Sequence, residues 1–131
     1  MKRCIAVIGC GNIGSRHIQA IAKDCRTLDV HLVDPNKKAL DHCRSSIESL
    51  DCSQKNTYKY SSELNLPNHC DVVIIATFST NRLTILKDVL RKTKVAFLIL
   101  EKVLFQSLDE YKECQELIKK SDTKYYVNCP R

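Results

Sequence analysis

The sequence predicts a three-layer α/β fold, in which helices cover both faces of a mostly parallel sheet. Apolar runs of strand length alternate with amphipathic helical segments along the chain, as in successive βαβ units. A glycine-rich turn links the first run to the first helical segment. The run Asp71–Ala76 has the continuous β-branched centre of a strand that is buried on both faces. We expect the strand order 3-2-1-4-5-6.

The first half of the chain supplies two strands and two helices. The first strand spans residues 3–8, and the first helix spans about residues 12–25, with apolar positions at helical spacing. His17 falls on the inner side of that helix, where we expect a packed or hydrogen-bonded structural histidine. The second strand ends at Asp34, and a helix follows over residues 36–47.

The second half completes the alternation of strands and helices. Polar residues 51–57 predict a loop, residues 58–60 a short edge strand, and residues 61–64 the start of a single helical turn. A helix follows the strand at Asp71–Ala76. The remaining elements are a strand at residues 95–100, a helix at about 107–120 and a last strand at 124–128.

Length and charge restrict the class of protein. At 131 residues the chain has the length of one domain. Its net charge is +6, but the basic residues are scattered, which is typical of solvated helix faces and not of a nucleic-acid surface. No run is long and apolar enough to span a membrane. The apolar run after Met1-Lys2-Arg3 is short and ends in the glycine turn, so we interpret it as a strand and not as a signal peptide.

The eight cysteines show neither a C-x-x-C pair nor a histidine at zinc-finger spacing. Several lie in apolar segments, where cysteine acts as a small hydrophobic residue. We therefore expect reduced thiols, a cytoplasmic protein and no metal site. Cys10 lies in the glycine turn beside a helix N-terminus, which favours a thiolate. The alternative is a small residue that the turn merely tolerates.

The glycine-rich turn is the strongest functional signal, because a G-x-G-x-x-G between a strand and a helix is typical of dinucleotide sites. The first glycine allows the tight turn, the second lets a pyrophosphate approach the backbone, and the third lets the helix pack closely. Helix N-terminal N–H groups then face the phosphates. The candidate cofactor-binding residues of the turn are Gly9, Cys10, Gly11, Asn12, Ile13 and Gly14.

Asp34 is the second element of the predicted dinucleotide site. It ends the second strand about 20 residues beyond the last glycine, where an acid accepts hydrogen bonds from the adenosine ribose. Its charge favours NAD over NADP, although nearby Lys37 and Lys38 leave NADP possible. The alternative is a structural glycine turn, with Asp34 capping the next helix.

Two further groups follow strands at the same predicted sheet edge, where ligands of open α/β sheets bind. Thr77, Ser79 and Asn81 can hydrogen-bond the pyrophosphate and the nicotinamide ribose. Glu101 and Lys102 directly follow the fifth strand; Glu101 can hold that ribose or orient Lys102, and Lys102 can donate a proton to a substrate oxygen or polarise it. The alternative for this pair is a surface ion pair.

Taken together, these motifs resemble the N-terminal Rossmann domain of the glucose–fructose oxidoreductase / inositol dehydrogenase / MocA family. The resemblance rests on the segments 9–17, Val33-Asp34-Pro35, Ala76-Thr77, Leu100-Glu101-Lys102 and Val127-Asn128. It implies an NAD(P)-dependent oxidoreductase that acts on a sugar, cyclitol or sugar-derived alcohol. It also implies that Lys102 is catalytic and that Glu101 and the turn after Ala76 contact the cofactor.

The sequence departs from the family pattern in two places and in its extent. Val103 stands where the family usually has proline, and Arg82 stands about where many members have histidine. Arg82 can contact a phosphate or an acidic substrate, but we expect a solvated arginine at a helix start. Family members continue into a substrate domain with the usual dimer surface. We therefore expect a homo-oligomeric full-length protein and no turnover by this chain alone.

Two other functional classes remain open at this point. A stand-alone nucleotide-sensing domain of a potassium transport system has a similar length, glycine motif and acid. Such a domain transfers no hydride, so it would not need Glu101 and Lys102 beside a nicotinamide. A methyltransferase that uses S-adenosylmethionine is the weaker alternative, because its glycine motif usually differs.

Overall fold

The computed structural model describes residues 2–24, 26–50 and 55–129. In these residues one six-stranded parallel sheet has the order β3-β2-β1-β4-β5-β6, which confirms the predicted strand order. The strands are β1 (Arg3–Ile8), β2 (Leu28–Val33), β3 (Thr57–Ser61), β4 (His69–Ile75), β5 (Lys94–Glu101) and β6 (Lys124–Asn128). The helices are α1 (Asn12–Lys23), α2 (Lys37–Glu48), α3 (Arg82–Lys92) and α4 (Leu108–Ser121).

Side-chain alternation along β1 divides the core between the two faces of the sheet. Ala6 packs in one apolar cluster with Leu86 of α3 and Ile118 of α4. Val7 packs in a second cluster with Ile18 of α1. The sheet is therefore covered by α1 and α2 on one face and by α3 and α4 on the other, as the three-layer prediction required.

Local capping fixes where two of the helices begin. The Asn36 side chain accepts a hydrogen bond from the Lys38 N–H and caps α2. Ser107 and Glu110 form a capping box at the start of α4, each side chain bonding the other's backbone N–H. Because these caps satisfy N–H groups that have no partner inside the helix, both helices start sharply at the ends of their loops.

The segment after β3 differs from the prediction of a helical turn at residues 61–64. Ser61 remains in the strand, and bends follow it. The Ser61 hydroxyl donates to the Glu63 carbonyl and accepts from the Glu63 N–H, so this local loop already satisfies the groups that would start a helix. Cys25 at the predicted end of α1, and residues 51–54 of the predicted loop, lie outside the described residues.

In the described parts of the chain no helix has the length and apolar character needed to cross a membrane. The cysteines described as free thiols are Cys4, Cys10, Cys43, Cys70, Cys114 and Cys129.

Candidate functional site

The three glycines of the turn after β1 are needed for different geometric reasons. Gly9 has a φ of +92°, and a Cβ there would lie 2.8 Å from the Ala76 carbonyl oxygen. A Cβ at Gly14 would lie 1.8 Å from the Gly9 carbonyl oxygen, so α1 packs directly on the turn. At Gly11 a Cβ would meet no atom within 4 Å. Gly11 therefore borders open space, and this space lets a pyrophosphate come close to the backbone.

The N-terminus of α1 opens onto the same space. Gly11 is the N-cap residue, and no side chain caps the helix there. The first-turn N–H groups lack partners within the helix, and the helix dipole places partial positive charge beside them. Asn12 and Ile13 are both exposed. The turn is thus arranged to accept an anionic group, and the geometry fits a dinucleotide pyrophosphate.

Cys10 is a buried neutral thiol and not a thiolate. Its side chain is almost fully buried, with Sγ 3.8 Å from the Val33 carbonyl oxygen. The hydrogen bond with Cys43 and the burial both raise the pKa of the Cys10 thiol. Of the two interpretations of Cys10, the structure therefore favours the small residue over the thiolate: the Cys10 side chain packs under the turn.

Asp34 links the glycine turn to the start of α2. Its Oδ2 accepts from the Cys10 N–H at 2.7 Å, and its Oδ1 accepts from the Asn36 N–H at 2.8 Å. The helix itself is capped by Asn36, so Asp34 is not its capping residue. Each carboxylate oxygen retains a further lone pair. Asp34 can therefore support the turn and still accept hydrogen bonds from ribose hydroxyls.

The three predicted polar residues after β4 have different environments. Thr77 Oγ1 is buried and has no hydrogen-bond partner in the described part of the chain. Ser79 Oγ accepts from Gln106 Nε2 at 3.4 Å. Asn81 is the N-cap residue of α3, but its side chain does not cap the helix. Among the described residues, nothing thus bonds the buried Thr77 hydroxyl, and the exposed Asn81 amide is not used as a cap.

Glu101 is held by residues from two other elements. It is 7% exposed, and its Oε1 lies 2.5 Å from Nε2 of His17 in α1. The same oxygen accepts from Asn128 Nδ2 of β6 at 2.8 Å. His17 is thus hydrogen-bonded, as predicted. The surface ion pair that was the alternative for Glu101 and Lys102 is not among the ion pairs of the described residues.

Lys102 differs from Glu101 in being exposed. Its ammonium makes no ion pair or hydrogen bond with the residues described here. The Lys102–Val103 peptide bond is cis, at the point where the sequence departs from the family pattern. The structure thus places a fixed carboxylate and a free ammonium side by side at the end of β5.

Arg82 is buried, so its prediction as a solvated arginine is wrong. It is 2% exposed, and its guanidinium donates to the carbonyl oxygens of Glu101 and Val103 at 2.5 Å each. It also donates to the carbonyls of Leu104, at 3.2 Å, and of Thr77. The physical reason is that carbonyls past the strand ends lack sheet partners, and a guanidinium offers several donors in a fixed fork. Burial lowers the pKa of Arg82.

These contacts bring the predicted groups to one edge of the sheet. Asp34 bonds the turn at Cys10, Gly9 packs on Ala76, and His17 bonds Glu101. The sequence did not predict that the Arg82 guanidinium hydrogen-bonds both the segment after β4 and the segment after β5. It also did not predict the bond between Asn128 and Glu101, although the parallel register pairs those two residues.

Comparisons with known proteins agree with this geometry. The sequence matches GFO_IDH_MocA, described as an oxidoreductase family with an NAD-binding Rossmann fold, over residues 3–129. No curated protein matches the chain. The fold resembles scyllo-inositol dehydrogenase from Lactobacillus casei with bound NAD(H) and scyllo-inositol, at a TM-score of 0.75 and 16% identity. It also resembles the WlbA dehydrogenase from Chromobacterium violaceum in complex with NADH and UDP-GlcNAcA, at a TM-score of 0.74 and 19% identity.

The matched region takes up nearly all of this chain but only part of each of the two dehydrogenases. The similarities cover 98% and 97% of this chain, but only 36% and 35% of the two dehydrogenases. At such identities they show the shared fold, and they do not favour the nucleotide-sensor alternative. Because the sequence match spans residues 3–129, the chain belongs to the glucose–fructose oxidoreductase, inositol dehydrogenase and MocA family and forms its NAD-binding Rossmann domain.

Proposed function

We propose that this chain is the cofactor domain of a dehydrogenase that transfers hydride between a nicotinamide and a sugar, cyclitol or sugar-derived alcohol. The observation that carries the proposal is the open helix N-terminus at Gly11, on the same sheet edge as Glu101 and Lys102. Solved neighbours with a similar fold include an inositol dehydrogenase with bound NAD(H) and inositol, and an enzyme in complex with NADH and a nucleotide sugar.

The cofactor would lie across the carboxyl ends of β1, β2 and β4. The backbone from Gly9 to Gly14 would hold the pyrophosphate, since its first-turn N–H groups are uncapped. Asp34 would accept hydrogen bonds from the adenosine ribose hydroxyls. Thr77, Ser79 and Asn81 would bond the pyrophosphate and the nicotinamide ribose. The unpartnered Thr77 hydroxyl supports this role, because a buried polar group without a partner is costly.

Bound NAD supplies the hydride acceptor, and the chain's own residues handle the proton. In alcohol oxidation the substrate carbon gives up a hydride, and its hydroxyl gives up a proton. Lys102 is the group we assign to exchange that proton: as a neutral amine it would take the proton in alcohol oxidation, and as an ammonium it would give the proton to the substrate oxygen in the reverse direction. The exposed Lys102 side chain, which no described residue bonds, and its place after β5 support this assignment. Glu101, held by His17 and Asn128, would bind the nicotinamide ribose.

The rest of the catalytic machinery belongs, in this proposal, to a further substrate domain. The chain spans 36% of the length of scyllo-inositol dehydrogenase. Catalysis requires the reacting carbon to be held against the nicotinamide within a narrow geometry, which one lysine on one domain does not provide. We accordingly assign substrate binding, and homo-oligomer formation in the cytoplasm, to the full-length protein.

Titration of this chain with NADH and NADPH, followed by nicotinamide fluorescence, tests the cofactor assignment. We expect saturable binding that favours NADH, because the Asp34 carboxylate repels a 2′-phosphate. Asp34→Ala should weaken NADH binding by about tenfold, the equivalent of one charge-assisted hydrogen bond. Asp41→Ala, at an exposed position of α2, is the matched control and should bind like the unmodified chain. Equal NADH affinity in the Asp34 variant would contradict the assignment.

The role of Lys102 needs the full-length protein and a substrate assay. We expect Lys102→Met to lower kcat by at least about a hundredfold, the usual range for losing a general acid or base. NADH affinity should change much less. A full-length Lys102→Met protein with normal turnover would exclude the proton-transfer role and leave the cofactor assignment intact.

A further inference from the structure

Three side chains that can bind a metal ion lie together on β1 and β2, away from the cofactor edge. Cys4 is near the start of β1, and Asp29 and His31 belong to β2. The parallel register places Cys4 directly opposite Asp29. Residues two apart in a strand share a face, so His31 lies on the same side of the sheet as Asp29. We call these three residues the Cys–Asp–His triad.

The donor atoms of the triad are close to one another. One donor atom from each of the three residues lies within 4.8 Å of the other two. The Asp29 Oδ2 atom is 3.3 Å from His31 Nε2. In a tetrahedral zinc site, sulfur, nitrogen and oxygen donors are about 3.3 to 3.8 Å apart, given their usual bond lengths to zinc. The carboxylate and the imidazole already have this spacing, and the Cys4 sulfur reaches it by moving at most about 1 Å.

Burial sets the triad apart from ordinary surface polar groups. The side chains of Cys4 and His31 are buried. The Asp29 side chain is the most exposed of the three, at 27%, yet its Oδ1 atom is buried and has no hydrogen-bond partner among the described residues. Because a buried carboxylate oxygen without a partner is costly, this atom favours a cation beside it.

An open cavity gives an ion and water access to the triad. His31 lines a cavity of about 360 Å³, which residues 65–67 and Lys59 also border. A polar cavity of this size has room for water molecules. The Lys59 ammonium lies 3.7 Å from Asp29 Oδ2, but its side chain is 60% exposed. The ammonium can therefore move into solvent when another cation binds Asp29.

We propose that Cys4, Asp29 and His31 bind one Zn²⁺ ion and leave its fourth coordination position open to water. A thiolate, a carboxylate and an imidazole suit zinc, whereas Mg²⁺ and Ca²⁺ prefer oxygen donors alone. The thiolate and the carboxylate together neutralise the double charge of the ion. On binding, the Cys4 sulfur forms a bond to zinc, and its thiol proton passes to solvent.

Cys70 is a neighbour of the site and not one of its ligands. Its Sγ lies 3.5 Å from the Cys4 Sγ, so it can hydrogen-bond the sulfur that holds the ion. Cysteine spacing along the chain could not indicate the site, because its ligands come from two strands. The proposal is independent of the cofactor assignment, since the predicted cofactor residues lie at the carboxyl ends of the strands. NADH binding should therefore be the same with and without zinc.

Cobalt titration of the unmodified chain, reduced with a phosphine that contains no thiol, tests the proposal. We expect one Co²⁺ per chain, with the visible bands of four-coordinate cobalt and near-ultraviolet charge transfer from a single thiolate. Added Zn²⁺ should abolish these bands by displacing the cobalt. A six-coordinate spectrum without charge transfer, or no binding at all, would overturn the proposal.

Variants identify the ligands in the same titration. Cys4→Ser should abolish the charge-transfer band, and Asp29→Asn and His31→Gln should each weaken cobalt binding by at least about tenfold. Cys70→Ala should keep the band. Cys129→Ser removes an exposed thiol far along the chain and is the control, which should bind like the unmodified chain. A band that persists in Cys4→Ser, or disappears in Cys129→Ser, would refute the assigned ligands.

Histidine ring spectra of the unmodified chain locate the ion without relying on the folding of any variant. The chain has four histidines, and their ring nitrogens are observable by nitrogen-15 NMR. Added Zn²⁺ should shift the ring nitrogens of His31 and leave those of the other three in place. Zinc-dependent shifts at another histidine, with the His31 ring unchanged, would overturn the proposal.

Discussion

His17 Nε2 lies 2.5 Å from Glu101 Oε1, and this hydrogen bond joins the first helix to the end of the fifth strand. Gly14, in the first turn of the same helix, packs on the carbonyl of Gly9. The phosphate-binding turn and the carboxylate beside Lys102 are therefore positioned by one helix. Cofactor binding and proton transfer would depend on the same packing.

The first prediction concerns this bond. His17→Ala should lower the free energy of unfolding by about 1.5 kcal/mol, because it removes a donor to a buried charge. It should also weaken NADH binding, since Glu101 loses one of its two side-chain contacts. Urea denaturation and the fluorescence titration measure the two effects. His42→Ala, at an exposed position of α2, is the control and should change neither. A His17 variant as stable as the control would show that the bond contributes nothing.

Arg82 provides the second prediction. Arg82→Met should destabilise the fold by about 3 kcal/mol, because the change leaves the carbonyls of Glu101, Val103, Leu104 and Thr77 without their donor. Methionine keeps most of the side-chain volume, so loss of packing is a small part of the effect.

The control for Arg82 lies in the same helix. Arg91 is exposed at the other end of α3, and among the residues that the structure describes its one ion pair is with Asp88. Arg91→Met should cost less than about 0.5 kcal/mol, as expected for a surface ion pair. Denaturant unfolding of both variants provides the comparison. Equal stability of the two would mean that the carbonyls near Arg82 find other partners.

The contrast between the strand order and Arg82 shows what the sequence could predict. Hydrophobic periodicity is a local property, so runs such as Asp71–Ala76 identify the strands, and their order follows from the doubly wound fold that the glycine motif indicates. The partners of Arg82 are carbonyls from two distant loops, and no local pattern specifies them. The sequence left two interpretations of the Cys10 thiol open for a similar reason, because its state depends on packing: the side chain is buried, with Sγ 3.8 Å from the Val33 carbonyl oxygen. The glycine motif and Asp34 could be proposed from the sequence because their spacing is itself the signal.

The third prediction separates binding from stability within the glycine turn. Gly11 has a φ of −71°, which any residue adopts, and open space where a Cβ would lie. Gly11→Ala should therefore leave the free energy of unfolding nearly unchanged while weakening NADH binding by at least about tenfold, because the methyl occupies the approach of the pyrophosphate. Gly14→Ala should instead destabilise the fold itself by several kcal/mol (about 3), since its Cβ meets a backbone oxygen.

Two measurements on each glycine variant check this difference. Urea denaturation reports stability, and the NADH titration reports binding in the variants that remain folded. A Gly11→Ala chain that binds NADH normally would mean that the pyrophosphate does not approach this residue. Loss of stability at Gly11, with none at Gly14, would contradict the geometry of the turn.

The fourth prediction concerns thiol reactivity and its dependence on pH. Burial raises the pKa of the Cys114 thiol to about 11, so at pH 8 about one molecule in a thousand carries the reactive thiolate. Because the pKa is raised, labelling of Cys114 by iodoacetamide should be slow at pH 8 and increase about tenfold per pH unit towards pH 11. Exposed Cys129 should label far faster in the native chain at pH 8. Peptide mapping by mass spectrometry distinguishes the two sites, and in urea their rates should converge, because unfolding removes the burial. Native Cys114 that labels as fast as Cys129 at pH 8 would mean that α4 does not shield this thiol.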